Sequence, residues 1–229
     1  MAKILFGQMI AEARGKVGGL VFSRNRAGSY MRTKVTPTNP QTAKQTGVRT
    51  FFTTVAQTWR GLTAAQRLQW EDAVENFKSS NIFGLIKTLS GAQLHQKLNV
   101  NLLNISQAQI SAPPVPTAVP AITALSMTAD VSDNKITLTF SPAINANVVY
   151  EIFATPPVSQ GKTFVKNLYK KVSLAGVAAV SPLELAGDYI LIYGSIGAAG
   201  QKIYVKMVPT HITTGIQGSA IEASAIITA

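Results

Sequence analysis

The apolar positions of this chain change period twice. From residue 48 onward Val48, Phe51, Phe52, Val55, Trp59 and Leu62 fall at intervals of three and four, which stacks them on one face of an α-helix. Pro40 suits the first position of that helix, where an N–H has no partner anyway. Thr38 or Asn39 precedes it as the cap, and Gly61 ends it. Thr63 with Gln66, and Ser90 with Gln93, form capping boxes. They predict a second short helix through Trp70, Ala73, Val74 and Phe77, and a third carrying Leu94, Leu98 and Leu102.

Ahead of the helices, residues 17–23 and 29–35 read as two short strands around Arg24, Asn25, Arg26, Ala27 and Gly28, with Gly28 suited to a positive-φ turn position. Gly15, Gly18 and Gly19 cost chain entropy in a regular element, so they are expected to form a flexible or closely packed approach to the hairpin. Beyond residue 121 the period becomes two. Ile136, Leu138 and Phe140 alternate with polar neighbours, as do Val148, Tyr150 and Ile152, and later Ile203, Val205 and Met207. Turn residues at Asp133-Asn134, Pro156-Pro157 and between Gly215 and Gly218 separate these runs, the pattern of an antiparallel sandwich of about seven strands. Between the two patterns, residues 108–121 (AQISAPPVPTAVPA) hold four prolines and no charge, which favours a semi-rigid extended linker. The expected fold is therefore an α+β N-terminal half over residues 1–107, a basic β-hairpin arm plus about three short helices. The linker at 108–121 and an all-β antiparallel sandwich over 122–229 complete it.

Charge sharpens this division. Of the 229 residues, the first 110 hold 14 Lys/Arg against 4 Asp/Glu, and the remainder 7 against 6. All seven arginines lie between Arg14 and Arg67. Arginine pairs bidentately with carboxylate and phosphate, so an acidic partner is expected for the first half. With no cysteine in the sequence, disulfides, thiolate metal sites and thiol catalysis are excluded. The opening MAKILFGQMIAEARGK has no long apolar run and reads as carrying no export signal. The longest uncharged stretch, Leu98 to Ala129, is broken by prolines and cannot form a membrane-spanning helix of about 20 apolar residues. A soluble protein is expected.

Reaction chemistry does not emerge. His95 and His211 stand without a serine, cysteine or acid at triad-like spacing, and no G-x-S-x-G occurs. Lys16 is followed by Val17 rather than Ser or Thr, so the glycine-rich stretch is not a P-loop. Gly15 to Gly18 is not flanked by the helices an RNA-clamping G-x-x-G loop needs. Glu71, Asp72 and Glu75 are expected to form a solvated acidic face pairing with nearby arginines, and Lys166, Lys170 and Lys171 to guard an edge strand against aggregation. No cofactor, metal or enzymatic activity is expected.

The combination GKVGGLVFSRNRAGSYMR, NPQTAKQ at Asn39 to Gln45, Arg49, WRGLTAAQRLQW at Trp59 to Trp70 and LSGAQL at Leu89 to Leu94 resembles proteins encoded in tailed-phage genomes. LAGDY at Leu185 to Tyr189 resembles the leucine, glycine and tyrosine corner of fibronectin type III domains. KIYVKMVPTHITTGIQGSAIEASAIIT looks like their last two strands, with the connecting loop at Thr210 to Gly218. These resemblances imply a virion structural protein made in the bacterial cytoplasm, a capsid-associated auxiliary or decoration subunit present in many copies. It would dock through its basic half on acidic surfaces of other virion proteins and project a fibronectin-like or immunoglobulin-like sandwich. Arg24, Arg26, Arg32, Lys34 and Arg49 would then supply charge complementarity, and Phe22, Tyr30 and Trp59 the apolar anchoring. Two alternatives stay open for the same residues: a neck or tail component, and a protein packaged with the genome whose arm meets nucleic acid. A third is a sugar-binding sandwich using Tyr150, Tyr189, Tyr193 and Tyr204.

Overall fold

In a computed structural model, which describes residues 2–3, 7, 12–25, 28–80, 86–141, 147–176 and 179–229, the glycines of the basic stretch build a sheet. Strand β1 (Ala2–Lys3) pairs with β4 (Gly28–Thr33), which pairs with β3 (Leu20–Asn25), which pairs with β2 (Gly15–Val17), all antiparallel. Gly18, at φ +54°, and Gly19 form the two-residue turn between β2 and β3, a place where a residue without Cβ costs least. The glycines expected as a flexible approach are thus strand and turn, and the predicted hairpin is the centre of a meander. Gly28 pairs with Asn25 at the start of β4; the turn residues Arg26 and Ala27 lie outside the described residues. This sheet belongs to the first of two compact units, Met1–Thr46 and Gly47–Ala229. Among its described residues none is fully buried.

Helix α1 spans Ala43–Gly61 and starts three residues later than Pro40 suggests. Thr42 Oγ1 accepts from the Gln45 N–H and Gln45 Oε1 from the Thr42 N–H, both at 3.4 Å, and Gln41 at φ +48° keeps the preceding residues out of the helix. The operative cap is a third capping box, Thr42 with Gln45. Helix α2 (Ala64–Ala73), prolonged by a 3-10 turn at Val74–Phe77, and α3 (Gly91–Asn104) start at the predicted boxes of Thr63 with Gln66 and Ser90 with Gln93. Leu62, Trp70, Val74, Leu94 and Leu98 form their shared core. The minor strands β5 (Ser79–Ser80) and β6 (Ile86–Lys87) pair between α2 and α3.

Seven further strands make two antiparallel sheets. One has the order β11 (Leu183–Glu184), β8 (Lys135–Ser141), β7 (Ala124–Asp130); the other β10 (Lys170–Ala175), β9 (Val148–Ala154), β12 (Lys202–His211), β13 (Ile221–Ile226). Ile136, Leu138 and Phe140 of the first sheet meet Tyr150, Ile152, Ile203, Val205 and Met207 of the second in a single core. The period-two positions are therefore the inward-facing ones. Strand β9 departs from strict alternation because its other face is covered too: Val149 packs with Leu102 and Ile105 at the end of α3. The Asn101 side-chain amide donates to Gly215 O at 2.9 Å in the β12–β13 loop, adding a polar tie.

The proline-rich stretch 108–121 has no helix or strand and lies within the second unit, fastened at both ends. Buried Asn99 accepts from Ile110 N–H (2.7 Å) and donates to Ile110 O (3.2 Å), Trp70 Nε1 donates to Ser111 O (2.9 Å), and Val119 packs against the sheet core. LAGDY is not a strand corner. It opens helix α4 (Ala186–Tyr193), between β11 and β12, from which Tyr189 and Tyr193, one turn apart, donate their hydroxyls to Thr155 O (2.8 Å) and Ala154 O (2.7 Å).

Candidate docking surface

The register of the N-terminal sheet sorts the expected docking residues onto opposite faces. Phe22 pairs with Met31, Ser23 with Tyr30 and Val21 with Arg32. Since side chains alternate across a strand, Phe22 and Arg24 share one face with Leu20 and Met31, while Tyr30 and Arg32 share the other with Val21. Phe22 and Tyr30 are half-buried, whereas Arg24, Arg32 and Lys34 are exposed. Arg26 lies outside the described residues.

The two faces differ in charge compensation. Arg24 lies 3.5 Å from Glu12, which also pairs with Arg14 at 2.8 Å. The hydrogen bond from Arg14, with help from Arg24, holds the Glu12 carboxyl below the usual carboxylate range. On the other face Lys16, Arg32 and Lys34, with Val21, Val35 and Pro37, line an open groove of about 320 Å³ with no acidic residue in its walls. Lys16, which fails as a phosphate-loop lysine, reaches this groove because β2 pairs it with Val21. Its place follows from strand pairing, which no motif spacing signals.

Arg49 and Trp59 belong to the second unit. Arg49 is exposed on α1, and Trp59 packs half-buried against the helical core. The Trp59 ring lies 5.3 Å from that of His95, and Trp70 meets His95 edge-on at 5.0 Å. His95 is fully buried and neither ring nitrogen has a hydrogen-bond partner. Burial lowers its pKa from 6.5, so the folded state holds it neutral at pH 7. As pH falls below that value the unfolded chain takes up a proton that the folded chain refuses, and stability declines. The urea midpoint of the second unit is expected to drop between about pH 7 and about pH 5, and His95→Phe to remove the part of that drop due to this group. A variant that follows the wild-type pH curve would contradict this assignment.

Several of the remaining candidates have structural partners. Glu71 accepts from the Gly91 N–H at 2.8 Å, and Glu75 pairs with Lys78. The expected arginine partners are replaced by the next helix and a lysine. His211 Nδ1 stands 3.1 Å from Thr213 Oγ1 in a turn. Lys170 and Lys171 do lie on edge strand β10, but Lys171 reaches inward to buried Glu151 at 2.8 Å and donates to Asn104 O at 2.6 Å. Among the described residues no group of three or more His, Cys, Asp or Glu is placed to hold a metal ion, and no helix is long and apolar enough to cross a membrane.

No family model and no curated protein matches the chain. Solved structures similar to it include a Fn3-like protein from Clostridium thermocellum (20% identity over 49% of this chain and 97% of that one, TM-score 0.31) and FN3tt (13%, over 49% and 98%, TM-score 0.32). A β-1,2-glucanase from Parabacteroides distasonis is similar at 16% identity over 50% of this chain and 14% of the enzyme, with a TM-score of 0.30.

Proposed function

We propose that this protein is a bacteriophage virion structural component, an auxiliary or decoration subunit that attaches to the capsid through its N-terminal unit. Its role is binding rather than catalysis. The observation that carries this reading is the combination of charge and shallow burial among the described residues of 1–46. Eight Lys/Arg stand against Glu12 alone, on a sheet with no fully buried residue among those described. A small sheet that buries little of its own apolar surface is stabilised by burial against something else. Its cations select an acidic partner and speed the encounter. In the second unit, the three-stranded and four-stranded antiparallel sheets sharing one core support a fibronectin type III-like module.

Residues 1–40 are expected to be cut by trypsin in the free protein and protected in purified particles of the encoding phage, where mass spectrometry finds the protein and imaging places it on the head. Absence from the particles, or equal cleavage in both states, would overturn the proposal. Density at the neck or tail would move the site of attachment. A second reading rests on the acid-free groove of Lys16, Arg32 and Lys34, which also suits phosphate. It requires DNA retention whose log affinity falls with log salt by about 0.9 per phosphate contacted.

A further inference from the structure

The outer face of the four-stranded sheet carries a preformed cleft. Strand β9 supplies Glu151 and Phe153, β12 supplies Lys206 and Val208, and β13 supplies Glu222 to its floor, and residues 163–166 with Tyr169 form the opposite wall around a space of about 790 Å³. That is the size range of small-molecule sites. The wall is fixed in place. Val158 and Lys202 exchange backbone hydrogen bonds at 3.0 and 2.8 Å, the Tyr204 hydroxyl donates to Lys162 O at 2.8 Å, and Val165 is buried beneath the segment. A ligand meeting such a wall does not have to order it first.

On the floor of the cleft charge is already matched, and Lys166 in the wall is exposed to water. Glu151 Oε1 lies 2.8 Å from Lys171 Nζ and its Oε2 accepts from Gln217 Nε2 at 3.2 Å, while Glu222 lies 3.5 Å from Lys206 Nζ. An ion reaching the floor would find the countercharges there engaged, and a wholly apolar ligand would strip water from carboxylates and ammonium groups without replacing it. The wall adds an aromatic ring and a phenol. The Phe164 ring is 72% exposed at the rim, and the Tyr169 hydroxyl is buried with no hydrogen-bond partner. Burial and the nearby Glu222 charge push that phenol up to about 12, so it stays protonated and able to donate.

We propose that this cleft binds a neutral oligosaccharide. A sugar presents a C–H face for the Phe164 ring and a rim of hydroxyls that donate and accept. Those hydroxyls fit Tyr169, Gln217, Glu222 and Lys206 without adding net charge. Of the tyrosines that suggested sugar binding in the sequence, Tyr150 and Tyr189 are buried in the sheet core, Tyr193 hydrogen-bonds Ala154 O, and Tyr204 supports the wall through Lys162 O without lining the cleft. The site is formed by residues of the second unit alone and does not depend on how the N-terminal unit docks.

The test is calorimetric titration of the full-length protein with cellohexaose, maltohexaose, laminarihexaose and chitohexaose, with dextran sulfate as a polyanionic arm. At least one neutral hexasaccharide is expected to bind. Phe164→Ala, at an exposed position that does not support the fold, is expected to weaken that binding about tenfold. Tyr169→Phe is expected to weaken it while leaving circular dichroism unchanged. Absence of heat with all four sugars at millimolar concentration overturns the proposal. So does unchanged affinity in both variants, or binding of dextran sulfate alone.

Discussion

Gly215→Ala is expected to destabilise the second unit by about 3 kcal/mol or more, read as a fall in the urea midpoint. Two independent constraints meet at this residue. Its φ of +68° is left-handed, a region that strains residues bearing a Cβ. A Cβ would also stand 2.3 Å from Leu98 O, a backbone atom of α3 that cannot swing aside. Relief would require the β12–β13 loop to lift from the helix, breaking the Asn101 hydrogen bond to Gly215 O. Gly187 in α4, where nothing lies within 4 Å of an added Cβ, is the control. Gly187→Ala is expected to be neutral or stabilising by up to about 1 kcal/mol. Equal midpoints for the two variants would mean that the helix and loop are not rigidly engaged.

Trp70→Ala is expected to cost about 3–5 kcal/mol. The side chain is fully buried, is central to the cluster with Leu62, Val74, Leu94 and Leu98, and donates its indole N–H to Ser111 O. Truncation leaves a cavity, removes the ring packed edge-on against His95, and deprives a proline-rich segment of an anchor. Trp70→Phe keeps much of the volume but loses the donor, so its cost is expected to fall between wild type and alanine. A loss below about 1 kcal/mol for the alanine variant would show that the helical cluster contributes little to the unit's cooperativity.

Features with local causes could be read directly from the residues. The boxes of Thr63 with Gln66 and Ser90 with Gln93 act within one turn, and both appear where expected. The alternation of Ile136, Leu138 and Phe140 reports one buried face and needs no knowledge of the partner strand. Errors arose where local signals competed or the deciding contact was distant. Pro40 and the box of Thr42 with Gln45 lie within six residues, and both can start a helix; Gln41 in the left-handed region decides for the second. LAGDYILIY is apolar enough to read as strand, yet it is helical, with Tyr189 and Tyr193 one turn apart reaching consecutive carbonyls more than thirty residues upstream.

Site residues follow the same rule. Arg24 and Arg32 were recognisable as an unusual density of cations. Their separation onto two faces depends on a register set by strand pairing. The cleft on the four-stranded sheet was invisible in sequence because Glu151, Phe164, Lys206 and Glu222 meet only when a connecting segment folds over three strands. No spacing along the chain encodes that juxtaposition.

The last residues of the sandwich add a mechanical property. After β13 the chain turns alongside β7 in parallel: Thr228 N–H donates to Ala129 O at 2.9 Å and Val131 N–H to Thr228 O at 3.1 Å. The Thr228 hydroxyl adds contacts at 3.0 Å to Ala129 O and Asp130 Oδ2. Tension entering ahead of β7 and leaving at Ala229 pulls these parallel segments in opposite directions along their length. The bonds then share the load in shear instead of opening one after another, so the sandwich is clamped at the point where a pull on its two ends would otherwise begin to unzip it.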